Sequence, residues 1–387
     1  MPRVIEVGQI VSGPFAGLVL SELGFEVIKV EQPGKGDISR HLTGSSVGNF
    51  AFLNMGKKSI TIDLKKEKGK EIFLRLVSKS DIVIDNLGPD TMQKLQLGYD
   101  ALSQINPMLI YLKIKGFGPG PYAWRKSLDY PAEVESGIAY MNGLEDRPMR
   151  LGASVIDIFA ATLGVIFVLK SMIDRMDRKR GFYAEVPLFE SAVYLMGQHM
   201  ASAQVLGREL KPLNSEPFTW GIYDFFETSD GKKVFLAVTT DSQWEDFCKS
   251  FNLQDLYSSS ELRTNAGRYK NRDWLIPRIA SLVREMTMSE LLAKLDESNV
   301  AYGILNKSLD LVENEQLKYD AKMALIRNQD GKIIYVPRLP VYNMQGTTVF
   351  SQKLEDPPLL GEDNEELLRE LGYSDIEIDE LKREGAI

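Results

Sequence analysis

Asp157 stands where a side chain could do chemistry. It lies in Leu151-Gly152-Ala153-Ser154-Val155-Ile156-Asp157-Ile158-Phe159-Ala160-Ala161, and no charged residue follows over positions 158–169. That run is shorter than the ~20 apolar residues a bilayer span needs, so it reads as a buried core helix with Asp157 at its mouth. A carboxylate there has two uses. It caps orphan backbone N–H groups and meets the positive end of the helix dipole. Alternatively, held ionised at a partly desolvated helix start, it attacks an activated acyl group. On these residues alone the cap is the commoner use.

Other reactive groups are scarce. The chain has two histidines, His41 and His199, and one cysteine, Cys248. No H-x-x-x-H or C-x-x-C pattern offers metal ligands, so no metal is expected. No G-x-S-x-G motif supplies a serine nucleophile. Gly8, Gly13 and Gly24 do not make G-x-G-x-x-G, and there is no Walker A sequence. Cys248, beside Trp244 and Phe247 in a helical pattern, reads as packing, and His199 reads as structural. With imidazole scarce, a carboxylate is the expected nucleophile or base.

Basic residues gather in short groups: Lys29, Lys35 and Arg40; Lys57 and Lys58; Lys65; Lys94; Arg125 and Lys126. Each alone reads as a solvated surface charge. Together they cluster in and just after the α/β half, many near predicted strand ends, where open α/β sheets bind ligands. Such an arrangement suits a phosphate-bearing ligand.

The elements that must position these residues follow from pattern. Strands at residues 3–7, 26–31, 59–63, 81–85 and 108–114 alternate with helices at 15–23, 66–78 and 99–105. This predicts an α/β fold with an open, mostly parallel sheet. Helices dominate residues 129–206, with a short strand at 182–186. A polar connector at 207–216 then precedes a hairpin closing on Thr228-Ser229-Asp230-Gly231-Lys232. Helices at 242–251, 274–284 and 289–298 complete a smaller α+β unit. Charged helices at 363–371 and 375–383 look like surface helices returning to a larger body. The expected domains are 1–206, 207–312 and a return at 313–387.

Composition sets the class. The chain has 387 residues, 44% hydrophobic and 26% charged, with net charge −8. This balance is that of a soluble globular protein, and the acidity argues against nucleic acid or an anionic membrane as partner. The opening Met1–Val7 stretch reads as a strand rather than a leader, and a lone cysteine suits a reducing compartment. The expected location is cytoplasmic.

Several segments together resemble the class III CoA-transferase family, that of formyl-CoA and carnitine CoA-transferases. Ser12-Gly13-Pro14-Phe15-Ala16-Gly17 and Leu23-Gly24-Phe25-Glu26-Val27-Ile28-Lys29-Val30-Glu31 look like its first βαβ, and Gly34-Lys35-Gly36-Asp37-Ile38-Ser39-Arg40 like the loop that follows. Asn54-Met55-Gly56-Lys57-Lys58-Ser59 with Asp63-Leu64-Lys65 is similar to its N-x-G-K-[RK]-S…D-L-K signature. Asp85-Asn86-Leu87-Gly88-Pro89, Leu97-Gly98-Tyr99, Asn106-Pro107 and Gly116-Phe117-Gly118 continue the match. Pro358-Leu359-Leu360-Gly361-Glu362 and Leu371-Gly372-Tyr373 close it.

The resemblance implies a Rossmann-like large domain built from both termini, a smaller middle domain and an interlocked homodimer. It makes Asp157 the nucleophile and coenzyme A, as a thioester, the substrate carrier. It aligns Asn86, Lys94 and Lys126 with CoA-contacting positions. Arg40, Lys57, Lys58 and Lys65 flank the nucleotide end, and Val11 and Gln32 occupy other cofactor-facing positions. The implied activity moves CoA from an acyl-CoA to a carboxylic acid through aspartyl anhydride and aspartyl-CoA intermediates.

The same family contains α-methylacyl-CoA racemases, whose acid/base histidine falls where this chain has Leu128. That absence favours the transferase. A CoA-binding protein without catalysis is the third alternative. Pro217-Phe218-Thr219-Trp220-Gly221 stands in place of the glycine-rich loop of formyl-CoA transferase. Whether Asp241 enters the site stays open.

Overall fold

A computed structural model describes residues 1–213, 215, 219–319, 322–349 and 355–387. Asn214 and Glu216 of the predicted connector, and Pro217 and Phe218 of the loop just named, lie outside them. Two compact units form, Met1–Leu210 with Glu315–Ile387, and Lys211–Asn314.

In the first unit, strands β1 (Arg3–Val7), β2 (Glu26–Glu31), β3 (Lys58–Thr61), β4 (Ile82–Asp85), β5 (Ile110–Lys115) and β6 (Phe182–Pro187) make one sheet. Their order is β3-β2-β1-β4-β5-β6, and every neighbouring pair is parallel. The central strands are covered on both faces, which is why Val4-Ile5 and Ile82-Val83-Ile84 read as unbroken apolar runs and are fully buried.

One face carries helices Glu67–Ser78 and Tyr99–Ile105 together with the C-terminal helices Asn364–Glu370 and Asp375–Arg383. Leu367, Leu368, Ile378 and Leu381 join the same core as Ile72 and Leu76. The other face carries helices Ser12–Glu22 and Val155–Arg178, with Ala16, Leu20, Ile156, Ala160 and Val165 packed on Val4, Ile84 and Leu112.

The chain leaves β1 for one face and β4 for the other. The strand order therefore reverses between β1 and β4, and their carboxyl ends open a crevice of the kind in which α/β sheets hold ligands. A short hairpin, β10 (Met323–Arg327) with β11 (Ile333–Pro337), packs Ala324, Ile326 and Val336 against Leu18, Ala51 and Met55. The sequence pattern does not predict it.

The long helix differs from expectation. It spans Val155–Arg178, 24 residues, long and apolar enough to cross a membrane by length and composition, and only 39% of its most apolar window is buried. Ile166, Ile173 and Met176 stay 58%, 62% and 69% exposed. It is a one-sided core helix, because its apolar residues run all round while the sheet covers one face.

The second unit is a three-stranded antiparallel sheet of β7 (Ile222–Glu227), β8 (Lys233–Val238) and β9 (Ala301–Ile304). Gly231, at φ +73°, turns the predicted hairpin. Helices Asp241–Ser250, Arg272–Arg284 and Met288–Asp296 pack Trp244, Phe247, Ile279 and Leu291 against it.

Candidate active site

Asp157 lies in the first turn of helix Val155–Arg178, but it is not the cap. Among the described residues Ser154, at the N-cap position, makes no side-chain bond to the turn. The Oδ2 atom of Asp129 does the work instead, accepting from the N–H groups of Ile156 at 3.0 Å and Asp157 at 3.2 Å. Asp129 itself begins helix Asp129–Ser136. The capping use that fits Asp157 in sequence therefore belongs to a residue far back along the chain, and the Asp157 carboxyl is left to face a cavity.

Its electrostatics also correct the expectation of a dipole-stabilised anion. Burial, and then the negative Asp129 beside it, push the Asp157 carboxyl up to about 7, against the opposing pull of the Ser12 hydroxyl and Arg150. Near neutrality the free site holds both protonation states.

The cavity, about 630 Å³, opens at the carboxyl ends of β1, β4 and β5. Its walls include Gln9, Val11, Ser12, Asn86, Lys126 and Leu128, with Asp157 among them. A smaller hollow of about 220 Å³ adjoins it, sharing Gln9 and Leu87 and adding Gln32, Asp63 and Lys65. Both hollows meet at the β1 loop, residues 8–11, and four side chains grip that loop and the first turn of helix Ser12–Glu22 after it. The Asn86 amide accepts from Gln9 N–H at 2.8 Å and donates to Gln9 C=O at 2.9 Å and to Ser12 Oγ at 3.0 Å. Lys29 Nζ donates to Gly8 C=O, Lys57 Nζ to Pro14 C=O, and Asp37 Oδ1 accepts from Ile10 N–H.

Behind the loop, Lys29 and Lys57 share Glu6, at 2.8 and 2.6 Å, and Lys29 also meets Asp37 at 2.8 Å, all with fully buried side chains. Ile10 is held at φ +70°, a conformation strained for a β-branched residue. Gly13 is required by closeness: a Cβ there would stand 2.9 Å from Asn86 Cγ.

The residues singled out in sequence divide. Val11, Asn86, Lys126 and Asp157 line the larger cavity, and Gln32 and Lys65 the smaller. Lys57, expected at the nucleotide end, is an interior ion instead. Arg40 is bound through both Nε and NH2 to Glu31, with only 5% of its side chain exposed. Lys58 starts β3, at the strand end away from the crevice, and pairs with Glu26 and Glu366. Lys94 ends helix Thr91–Lys94 and lines neither hollow. Asn86 faces the cavity, yet its amide is engaged by the loop, which makes it a positioning group.

Asp241 pairs with buried Arg268 inside the second unit. Cys248 is buried, and burial pushes its thiol up to about 12, out of the nucleophile range. The cavity lining contains no histidine among the described residues. Asp129 and Arg150 carry no sequence signal: an acid in the first turn of a helix is too common a dipole partner, and an arginine in a polar loop too common a surface charge, to mark them.

Comparison with known proteins agrees with this architecture. A mouse succinyl-CoA:glutarate CoA-transferase is 28% identical over all of this chain and 89% of its own length. The α subunit of a Chloroflexus aurantiacus succinyl-CoA–L-malate CoA-transferase is 30% identical over 98% of this chain and 90% of its own. The crystal structure of a CAIB/BAIF family protein from Brucella suis superposes with TM-score 0.84 at 28% identity, covering 96% of this chain and 98% of that one. The model of CoA-transferase family III matches residues 2–364. With the family model matching nearly the whole chain and relatives spanning its whole length, the chain belongs to CoA-transferase family III.

Proposed function

We propose that this enzyme moves CoA from an acyl-CoA donor to a carboxylic acid acceptor with Asp157 as the covalent nucleophile. The observation that carries the reading is a carboxyl relieved of its capping role and presented to a cavity at the switch point of the sheet. One Asp157 oxygen attacks the thioester carbonyl; the C–S bond breaks, CoA thiolate leaves and a mixed anhydride forms. The thiolate then attacks the aspartyl carbon of that anhydride, releasing the donor acid as its carboxylate and leaving an aspartyl-CoA thioester. The acceptor carboxylate attacks this thioester, giving a second anhydride and thiolate. Thiolate attack on the acceptor's acyl carbon forms the new acyl-CoA and restores Asp157. Splitting one exchange into such steps conserves the thioester's energy.

The site's own groups support each demand. Ser12, oriented by Asn86, lines the cavity beside Asp157, and its hydroxyl favours the ionised carboxylate that attacks. Lys126 offers a cation at the cavity wall to the carrier's negative groups. Leu128 and Val11 keep the wall apolar, which limits water reaching the hydrolysable intermediates. Short dicarboxylic acids are the proposed acids, since relatives are named for succinyl-CoA with glutarate or L-malate. A homodimer is proposed from the exposed apolar stripe of Ile166, Ile173 and Met176.

The test is chemical trapping. The protein is incubated with succinyl-CoA, quenched with hydroxylamine and digested, and the peptide containing Asp157 is weighed. A hydroxamate on Asp157, absent from Asp157→Ala, is the expected result. Deuterium entering the substrate α-carbon from heavy water without any label would overturn the reading in favour of racemisation.

A further inference from the structure

Behind the nucleophile lies an acidic pair that the exchange above does not use. Asp129 Oδ2 holds the first turn of the long helix, and its Oδ1 accepts from Arg150 NH2 at 3.1 Å. Glu133, one turn further along helix Asp129–Ser136, is 0% exposed. Its Oε2 accepts from Leu151 N–H at 2.9 Å. Its Oε1 is buried with no hydrogen-bond donor within reach, the nearest cation being Arg150 Nε at 4.0 Å. A buried anionic oxygen left so would be strongly disfavoured. A protonated carboxyl in that place can donate its hydrogen to Asp129, which lies one turn back on the same helix and faces the same Arg150. Burial, with that bond and the charge of Asp129, does push the Glu133 carboxyl up, although Leu151 N–H pulls the other way.

We propose that Asp129 is a positioning residue for the nucleophile, with Glu133 as its neutral, hydrogen-donating partner: it fixes the turn that carries Asp157 and holds a negative charge behind the attacking carboxylate. The inference rests on Asp157 being the nucleophile. Repulsion between the two carboxylates is present while Asp157 is a free anion and is lost once Asp157 is acylated, so it favours the chemical step over the resting state.

The charged groups around Asp157 are few. Asp129 and Glu133 come from helix Asp129–Ser136, and Arg150 from the segment leading into the long helix. Lys126 and Lys115 line the cavity, Lys115 being paired with Glu185 at 3.3 Å. The first turn of helix Ser12–Glu22 brings no acidic residue.

The experiment is the rate of Asp157 labelling by succinyl-CoA and hydroxylamine, followed from pH 5 to 9 in the wild type, Asp129→Asn, Glu133→Gln, Glu133→Ala and Arg150→Gln. Labelling needs ionised Asp157, so it falls on the acid side. In Asp129→Asn, where the amide oxygen can still cap the turn, that acid limb is expected to move down by about one pH unit. In Arg150→Gln it moves the opposite way. Glu133→Gln, which keeps a donor toward Asp129 and an acceptor for Leu151, is expected to stay within about twofold of the wild-type plateau, with Glu133→Ala falling about tenfold.

An acid limb unmoved in both Asp129→Asn and Arg150→Gln would overturn the electrostatic role. Glu133→Gln falling as far as Glu133→Ala would overturn the neutral partner. If Asp129→Asn does not fold, the Arg150 and Glu133 variants still decide. A wild type that never labels refutes the nucleophile assignment itself, a result separate from either.

Discussion

Asp157 is placed where its charge is costly, and that cost is measurable. Its carboxyl titrates from an ordinary 3.8 in the unfolded chain to about 7 in the folded one. Between those values the folded state binds more proton than the unfolded, so this group lowers stability as pH rises through about 4 to 7 and keeps it lowered above. Asp157→Asn removes the penalty. It is expected to raise stability at pH 8 by about 1–3 kcal/mol, allowing for solvent reaching the cavity, while abolishing turnover. Urea unfolding at pH 8 and pH 4 checks this: the gain should be present at pH 8 and vanish near pH 4. A variant no more stable than wild type at pH 8 would remove the case for a strained nucleophile.

The β1 loop shows how elements carry that residue. Its path is held by groups delivered from β2 (Lys29), β4's end (Asn86) and the turn after β2 (Asp37), and the helix turn that follows it by the segment before β3 (Lys57). Lys57→Met removes one cation from the buried cluster and leaves Glu6 under-compensated, at an expected cost of about 3 kcal/mol. Gly17→Ala strikes the same cluster sterically, because its Cβ would lie 2.1 Å from Glu6 Oε2. Both variants should unfold at lower urea concentration. Asp157 labelling should fall even in the fraction still folded, since Ser12 follows the loop. Wild-type midpoints for Lys57→Met would mean the cluster relaxes without loss. Such a network escapes a sequence reading: Lys57 and Lys58 look alike there, and only the strand's orientation sends one inward to Glu6 and the other to the surface with Glu366.

Taken whole, the first unit has an apolar helix face that its own chain leaves uncovered. Ile166, Ile173 and Met176 sit on one helix, and elsewhere in the unit Tyr194 and Val205 are 76% and 87% exposed. Exposed apolar side chains repeated along one helix face mark an association surface. Light scattering at micromolar concentration should give twice the chain's mass, and Ile173→Glu with Met176→Glu should yield monomer or aggregate instead of dimer. A monomeric wild type would end the homodimer proposal.

Alternating strands and helices, the Thr228–Lys232 hairpin turn and the parallel sheet were legible because each is written in near neighbours: apolar periodicity, turn residues and caps within a few positions. So was the oddness of a carboxylate opening an apolar helix. What the residues around Asp157 could not tell is which acid caps that helix, since Asp129 arrives from 28 positions away. Nor could they tell that Lys57 and Arg40 are interior ions, or that the long helix is covered on one side. Burial and ion pairing depend on which distant segments meet, and a reading of near neighbours does not contain that. The tertiary arrangement alone converts Asp157 from a plausible cap into a carboxyl facing open space, because another carboxylate has taken its backbone partners.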